Sequence, residues 1–141
     1  MQSTKASAKT VLVIEDEAII AEVCTRILRA EGFKVRVVPD GEAALDLLNE
    51  EGFAFVLVDI RMPRMNGIEF YRHLERMYPK MVDRVVFTTG DILSSDIKRF
   101  LDEAECPYLA KPFTPDELKG IAKDILDGKD RTNSERSENV G

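Results

Sequence analysis

The sequence predicts an α/β domain with a doubly wound parallel sheet, and three observations carry that expectation. Phe53 to Val58 is a run of apolar and β-branched residues without polar alternation, the pattern of a strand covered on both faces. That run ends abruptly in one carboxylate, Asp59, and an earlier apolar run, Val11 to Ile14, ends the same way in Glu15-Asp16-Glu17. Helix-spaced apolar stripes fill the intervals between such runs and leave only short connections. In open parallel sheets ligands bind in the crevice beyond the carboxyl ends of the strands, so acids there stand where chemistry takes place. Taken alone, Asp59 reads equally well as a residue that ends a strand and starts a turn, and the other segments must decide.

The elements follow in order. After a polar start, Val11 to Ile14 is the first strand, and Ile20, Val23, Cys24, Ile27 and Leu28 paint the stripe of a helix that Gly32 stops. Val35 to Val38 is a short strand broken by Pro39, and Asp40 is placed to cap a helix with Ala44, Leu45 and Leu48 inward, ended by Gly52. Beyond the Asp59 strand, Pro63 and Asn66-Gly67 mark a loop. Asn66 with Glu69 resembles a capping box for a helix with Ile68, Tyr71, Leu74 and Tyr78 inward, closed by Pro79. Arg84 to Phe87 is the fourth strand, running into Thr88-Thr89-Gly90, where hydroxyls replace carboxylates. Ser94-Ser95-Asp96 caps a helix containing Ile97, Phe100 and Leu101, whose stripe is the weakest of the five and whose mobility is expected to be highest. Pro107 to Ala110 is a short fifth strand ending in Lys111-Pro112-Phe113, and Thr114-Pro115-Asp116-Glu117 is the clearest helix start in the chain. Leu118, Ile121, Ala122, Ile125 and Leu126 continue that helix to Gly128.

The expected organisation is a flexible tail over 1–9, one domain over 10–127, and a disordered polar tail over 128–141, where KDRTNSERSENVG has almost nothing to bury. A chain of 141 residues, 44% hydrophobic, supports one sizeable core. Its net charge of -6 argues against nucleic acid or anionic lipid as a partner. No apolar run approaches a membrane span and the N-terminal ten residues resemble no signal peptide, so a cytoplasmic location is expected. Cys24 and Cys106 fit no metal or redox spacing and read as reduced core thiols. His73 reads as an exposed helix residue.

A parallel sheet gathers the strand ends on one rim, and this rim carries Glu15 and Asp16, Asp59, Thr88 and Lys111. With the first and third strands adjacent, three carboxylates crowd together, each close pair repelling by about 4 kcal/mol at roughly 4 Å in an effective dielectric near 20. Such a cluster needs a cation. Hard oxygen ligands suit Mg²⁺, which keeps several waters and coordinates phosphate oxygens readily. An ionised Asp59 could then attack a phosphoryl group and form an acyl phosphate, with the Lys111 ammonium and the Thr88 hydroxyl on other phosphoryl oxygens. Each residue singly has a bland reading as a surface turn, a strand former or a solvated acid. Their appearance in this order on alternating strands is what argues against coincidence.

On Glu15-Asp16, on Asp59 with Met62-Pro63-x-Met65-x-Gly67, on Thr88 and on Lys111-Pro112, the chain from about Thr10 to Asp127 resembles the receiver domain of two-component response regulators. The resemblance implies a flavodoxin-like sheet in the order 2-1-3-4-5. It implies that Asp59 accepts phosphate from a histidine kinase or a histidine phosphotransfer protein. It further implies that Glu15, directly or through water, joins Asp16, Asp59 and the Arg61 backbone carbonyl around Mg²⁺, and that the Lys111–Pro112 bond is cis. By the same analogy Thr88 moves toward the new phosphoryl group, Tyr108 swings inward, and the face made by helix four, strand five and helix five changes shape for a downstream target. Arg61 and Gly90 stand two residues beyond Asp59 and Thr88, where they could set how fast water reaches the acyl phosphate.

A phosphatase using Asp59 as nucleophile is the competing class, but its leaving-group acid would stand where Arg61 stands. A mononucleotide binder lacks its Gly-rich loop, and an adaptor that is never phosphorylated would not need the full site. No output module fits after Gly128, so the output is expected to be a protein contact, either from a single-domain regulator or from a receiver cut out of a hybrid histidine kinase. The stretch from Phe87 to Phe113 looks slightly more like the second.

Overall fold

The computed structural model describes residues 9–90 and 94–127, so the expected tail over 128–141, and all of the expected tail over 1–9 except Lys9, lie outside the described residues. In chain order the elements are β1 (Thr10–Ile14), α1 (Ala18–Ala30), β2 (Lys34–Val38), α2 (Gly41–Glu50), β3 (Phe55–Asp59), α3 (Gly67–Met77), a 3-10 turn (Pro79–Arg84), β4 (Val85–Thr89), α4 (Ser95–Ala104), β5 (Tyr108–Ala110) and α5 (Pro115–Leu126). All five strands are parallel, in the expected flavodoxin-like order β2-β1-β3-β4-β5.

Helices on both faces explain why the strand sequences lack polar alternation. Leu12, Ile14, Val56, Val58 and Phe87 point to one side, against Ala44, Leu48, Phe70, Leu74 and Phe100 of α2, α3 and α4. Val11, Val13, Phe55, Leu57 and Val86 point to the other, against Cys24, Leu28, Leu118 and Ala122 of α1 and α5. Fully burying Leu12, Leu28, Phe55, Phe70 and Phe87 is worth roughly 1.5–3 kcal/mol each. A helix cap contributes about 1 kcal/mol. Packing therefore holds the fold, and the caps set where helices begin.

Those caps lie where the sequence placed them. Asp40 Oδ1 accepts from the Ala43 N–H at 2.9 Å. Asn66 and Glu69 bond each other's backbone N–H at 2.9 and 3.0 Å, and Thr114 and Glu117 do so at 3.1 and 2.8 Å. Ser94 occupies the N-cap of α4, but its side chain makes no capping bond.

Several expectations shift. The third strand begins at Phe55, not Phe53, although Phe53 and Ala54 are buried beside it. Arg84 belongs to the 3-10 turn, which sequence periodicity did not reveal because Pro79 was read only as a helix stop. In α1, Val23 is exposed and Ala21 takes its place inward, while Leu126 of α5 is exposed and Phe70 is the most deeply buried residue of α3 that the stripe omitted. Tyr78 caps α3 instead of lying in it, and α2 ends at Glu50 with Glu51 as its cap, ahead of Gly52. Ile97, Phe100 and Leu101 all bury, so the stripe of α4 is no thinner than that of α5, where Leu118 and Ala122 are the buried pair. Neither cysteine is in a disulfide, and both are buried. His73 is half-buried, with Nδ1 at 2.8 Å from Arg76 Nη2.

Candidate functional site

Register decides which side chains meet. Ile14 is opposite Val58 and Asp59 is opposite Thr88, so the ends of β1, β3 and β4 are level at one rim. Glu15, immediately after β1, is buried, and its Oε2 accepts from the N–H of Glu17 at 3.2 Å. Asp59, the last residue of β3, is also buried, whereas Asp16 is exposed. One carboxylate oxygen from each of the three lies within 4.8 Å of the others. Thr88 is buried beside Asp59.

Lys111, just beyond β5, completes the cluster. Its backbone N–H donates to the Thr89 carbonyl at 2.8 Å, and the peptide bond to Pro112 is cis. Its ammonium stands 2.8 Å from Asp59 Oδ2, 3.3 Å from Glu15 Oε1 and 3.8 Å from Glu17 Oε1. The Glu17 contact was missed from sequence, where that acid read only as part of an acidic run. Its spacing two residues beyond Glu15 was the available signal.

The loop after β3 closes against the site through backbone. Arg61 donates its N–H to Asp59 Oδ1 at 3.1 Å, and Gly67 donates its N–H to the Ile60 carbonyl at 2.8 Å. A Cβ on Gly67 would stand 2.8 Å from Ile60 Cα and 2.9 Å from the Asp59 carbonyl oxygen, so the first turn of α3 can approach β3 only at glycine. Arg61 lines an open cleft of about 580 Å³ with Asp16, Met62, Pro63, Ser94 and Asp96. Gly90 leaves open space at the rim of β4, and Tyr108 on β5 is 45% exposed.

Electrostatics follow from this crowding. Burial, and then the charge of Asp59, push the Glu15 carboxyl above its ordinary value, with Lys111 opposing the rise. For Lys111, burial works against the charged form, but the hydrogen bond and charge of Asp59 and the charge of Glu15 outweigh it and hold the ammonium above its usual value. Glu15, Asp16 and Asp59 with the Lys111 ammonium leave two negative charges in the acid cluster, and the exposed Glu17 adds a third at its edge. A divalent cation with a preference for hard oxygen ligands fits that remainder. The thiol of Cys24, by contrast, is pushed up to about 11, chiefly by burial, and stays inert.

A family model for the response regulator receiver domain matches residues 11–123. The chain belongs to the response regulator receiver domain family. This receiver is 34% identical to the transcription factor SKN7 of Saccharomyces cerevisiae over 114 residues, which are 79% of the chain but 18% of that protein. It is 34% identical to the phosphate regulon transcriptional regulatory protein PhoB of Escherichia coli over 119 residues, 84% of the chain and 52% of PhoB. The chain thus spans about half the length of PhoB and much less of SKN7. Among solved structures it is similar to the receiver domain of the sensor histidine kinase PA1611 from Pseudomonas aeruginosa PAO1, at 27% identity and a TM-score of 0.76, covering 84% of this chain and 98% of that one. That structure holds a magnesium ion coordinated in its active site cleft. The family's role is phosphoacceptor signalling in two-component systems. Among the described residues, no helix of this receiver is long and apolar enough to cross a membrane.

Proposed function

We propose that this receiver is a Mg²⁺-dependent phosphoryl switch in which Asp59 takes the phosphoryl group of a phosphohistidine on a histidine kinase or histidine phosphotransfer protein. The observation that carries this reading is the position of Asp59, buried at the end of the central strand with the Lys111 ammonium at 2.8 Å and two further carboxylates within 4.8 Å. An Asp59 oxygen attacks phosphorus in line, the donor's N–P bond breaks, and the imidazole leaves as a neutral ring once protonated. Lys111 holds Asp59 in place and then neutralises phosphoryl oxygens, and the Thr88 hydroxyl donates to another. Glu15, Asp16, Asp59 and the Arg61 carbonyl would hold the ion, which when bound supplies charge neutralisation to the phosphoryl oxygens.

Once Asp59 is modified, Thr88 moves toward it and Tyr108, now exposed, turns inward. That shift of population alters the face formed by α4, β5 and α5, where a downstream protein target binds. Self-dephosphorylation resets the switch, and no substrate beyond the phosphodonor is turned over. Arg61, lining the cleft, and Gly90, leaving the rim open, set the access of water. Arg61→Ala is expected to change the half-life of the acyl phosphate, and an unaltered half-life removes Arg61 from that role. The switch unit is residues 10–127, in the cytoplasm, with neither nucleic acid nor membrane as its direct partner.

Treatment with acetyl phosphate and Mg²⁺, followed by intact mass measurement, tests the reading. One added phosphoryl group on the parent chain and none on Asp59→Asn is expected. Equal uptake by both chains sinks it.

A further inference from the structure

Arg64 lies in the loop between β3 and α3 and holds a φ of 69°, in the left-handed region that disfavours side chains with a Cβ. The Met65 N–H donates to the Pro63 carbonyl at 2.8 Å, closing a tight turn centred on Arg64. A non-glycine residue stays in such a conformation where its surroundings over-determine it. Two contacts do so here, and both land on the start of α2. Arg64 Nη1 is 3.2 Å from Asp40 Oδ2, while the other oxygen of Asp40 caps α2 through the Ala43 N–H. The thioether of Met65 lies over Gly41, where a Cβ would stand 2.8 Å from its sulfur. Consecutive residues of the loop are therefore seated on consecutive residues of the helix N-terminus.

The same loop carries Arg61, whose N–H holds Asp59 Oδ1 and whose carbonyl faces the ion in the function proposed above. We propose that Arg64 and Asp40 are a positioning pair: by pinning a left-handed turn to the first turn of α2, they hold the loop after Asp59 in the shape that binds the cation. This inference rests on the Mg²⁺ reading of the acid cluster. Without the pair the turn relaxes, Met65 leaves Gly41, and part of the binding free energy goes into reordering the loop.

Titration of the full chain with MgCl₂ alone, followed by backbone amide NMR shifts, separates positioning from mere stabilisation. Arg64→Ala removes the pair and Arg64→Lys keeps the cation. Asp40→Ser keeps an equally good cap for α2 but is too short to reach Arg64. Because Arg64 is largely exposed, the expected weakening of Mg²⁺ affinity in Arg64→Ala and in Asp40→Ser is about two- to five-fold. The double variant is expected to bind no worse than either single one, since both remove one interaction. Arg64→Lys should restore affinity close to that of the parent. Parental affinity in both single variants, whatever their melting temperatures, overturns the proposal, as does full additivity in the double variant. A parent chain that binds no Mg²⁺ overturns the cation reading itself, and this inference with it.

Discussion

Lys111 is the residue on which the charge balance of the rim turns, because its ammonium touches Asp59, Glu15 and Glu17 at once. Under the proposed function, truncation to Ala removes the cation that would neutralise the transferring group, and phosphorylation of Asp59 by acetyl phosphate is expected to slow by at least about tenfold. Mg²⁺ affinity should hold or rise in the same variant, since the ammonium and the ion compete for the same oxygens. Phosphorylation kinetics beside isothermal titration read both effects, and an unchanged rate would contradict the role. Cys24 offers a test of burial, the main cause of its shift. Its thiol is raised from 9.0 to about 11, so the folded chain binds this proton more tightly than the unfolded chain does. The resulting stability is fully present below pH 9.0 and is lost as pH rises through about 11. Urea denaturation across that window should show falling stability in the parent and a flatter profile in Cys24→Ala. Asp59, Thr88 and Lys111 were legible in the sequence because each ends an apolar run. Arg64 was not, because a left-handed φ and a partner 24 residues away leave no local pattern.

At the scale of elements, the approach of α3 to β3 fixes the shape of the site. Gly67 lets the first turn of α3 come within 2.8 Å of Ile60 Cα, counted from where a Cβ would be, and backbone atoms on both sides cannot yield as a flexible side chain would. Gly67→Ala is expected to cost about 2 kcal/mol in chemical denaturation, and to weaken Mg²⁺ binding because the Arg61 loop is displaced. A fully stable variant with parental Mg²⁺ affinity would show that the contact is not limiting. Helix starts were readable because Asp40, Asn66 and Thr114 announce themselves by residue type, and Asn66 and Thr114 also by the glutamate three positions on. Helix ends and inward faces were read less well. Val23 and Leu126 fit an apolar stripe but lie at its margin, where a side chain of the same type faces solvent. The 3-10 turn over Pro79–Arg84 has too few residues to display a period at all.

For the whole molecule, the parallel order β2-β1-β3-β4-β5 puts acids from β1 and β3 side by side and brings Lys111 across from β5. The alternation of strands and helices was visible as periodicity, whereas the strand order came from resemblance, since register and neighbour choice leave no mark in a single sequence. Folding thus assembles an excess of negative charge at one rim, and the cores on both faces supply the stabilisation that offsets the repulsion. The most direct test of the central claim is to treat the chain with acetyl phosphate and Mg²⁺, reduce the product with borohydride, and locate the reduced aspartyl residue by peptide mass spectrometry. Homoserine at position 59, absent when EDTA replaces Mg²⁺, is the outcome expected. Reduction at another acid, or equal modification of Asp59 without Mg²⁺, would contradict it.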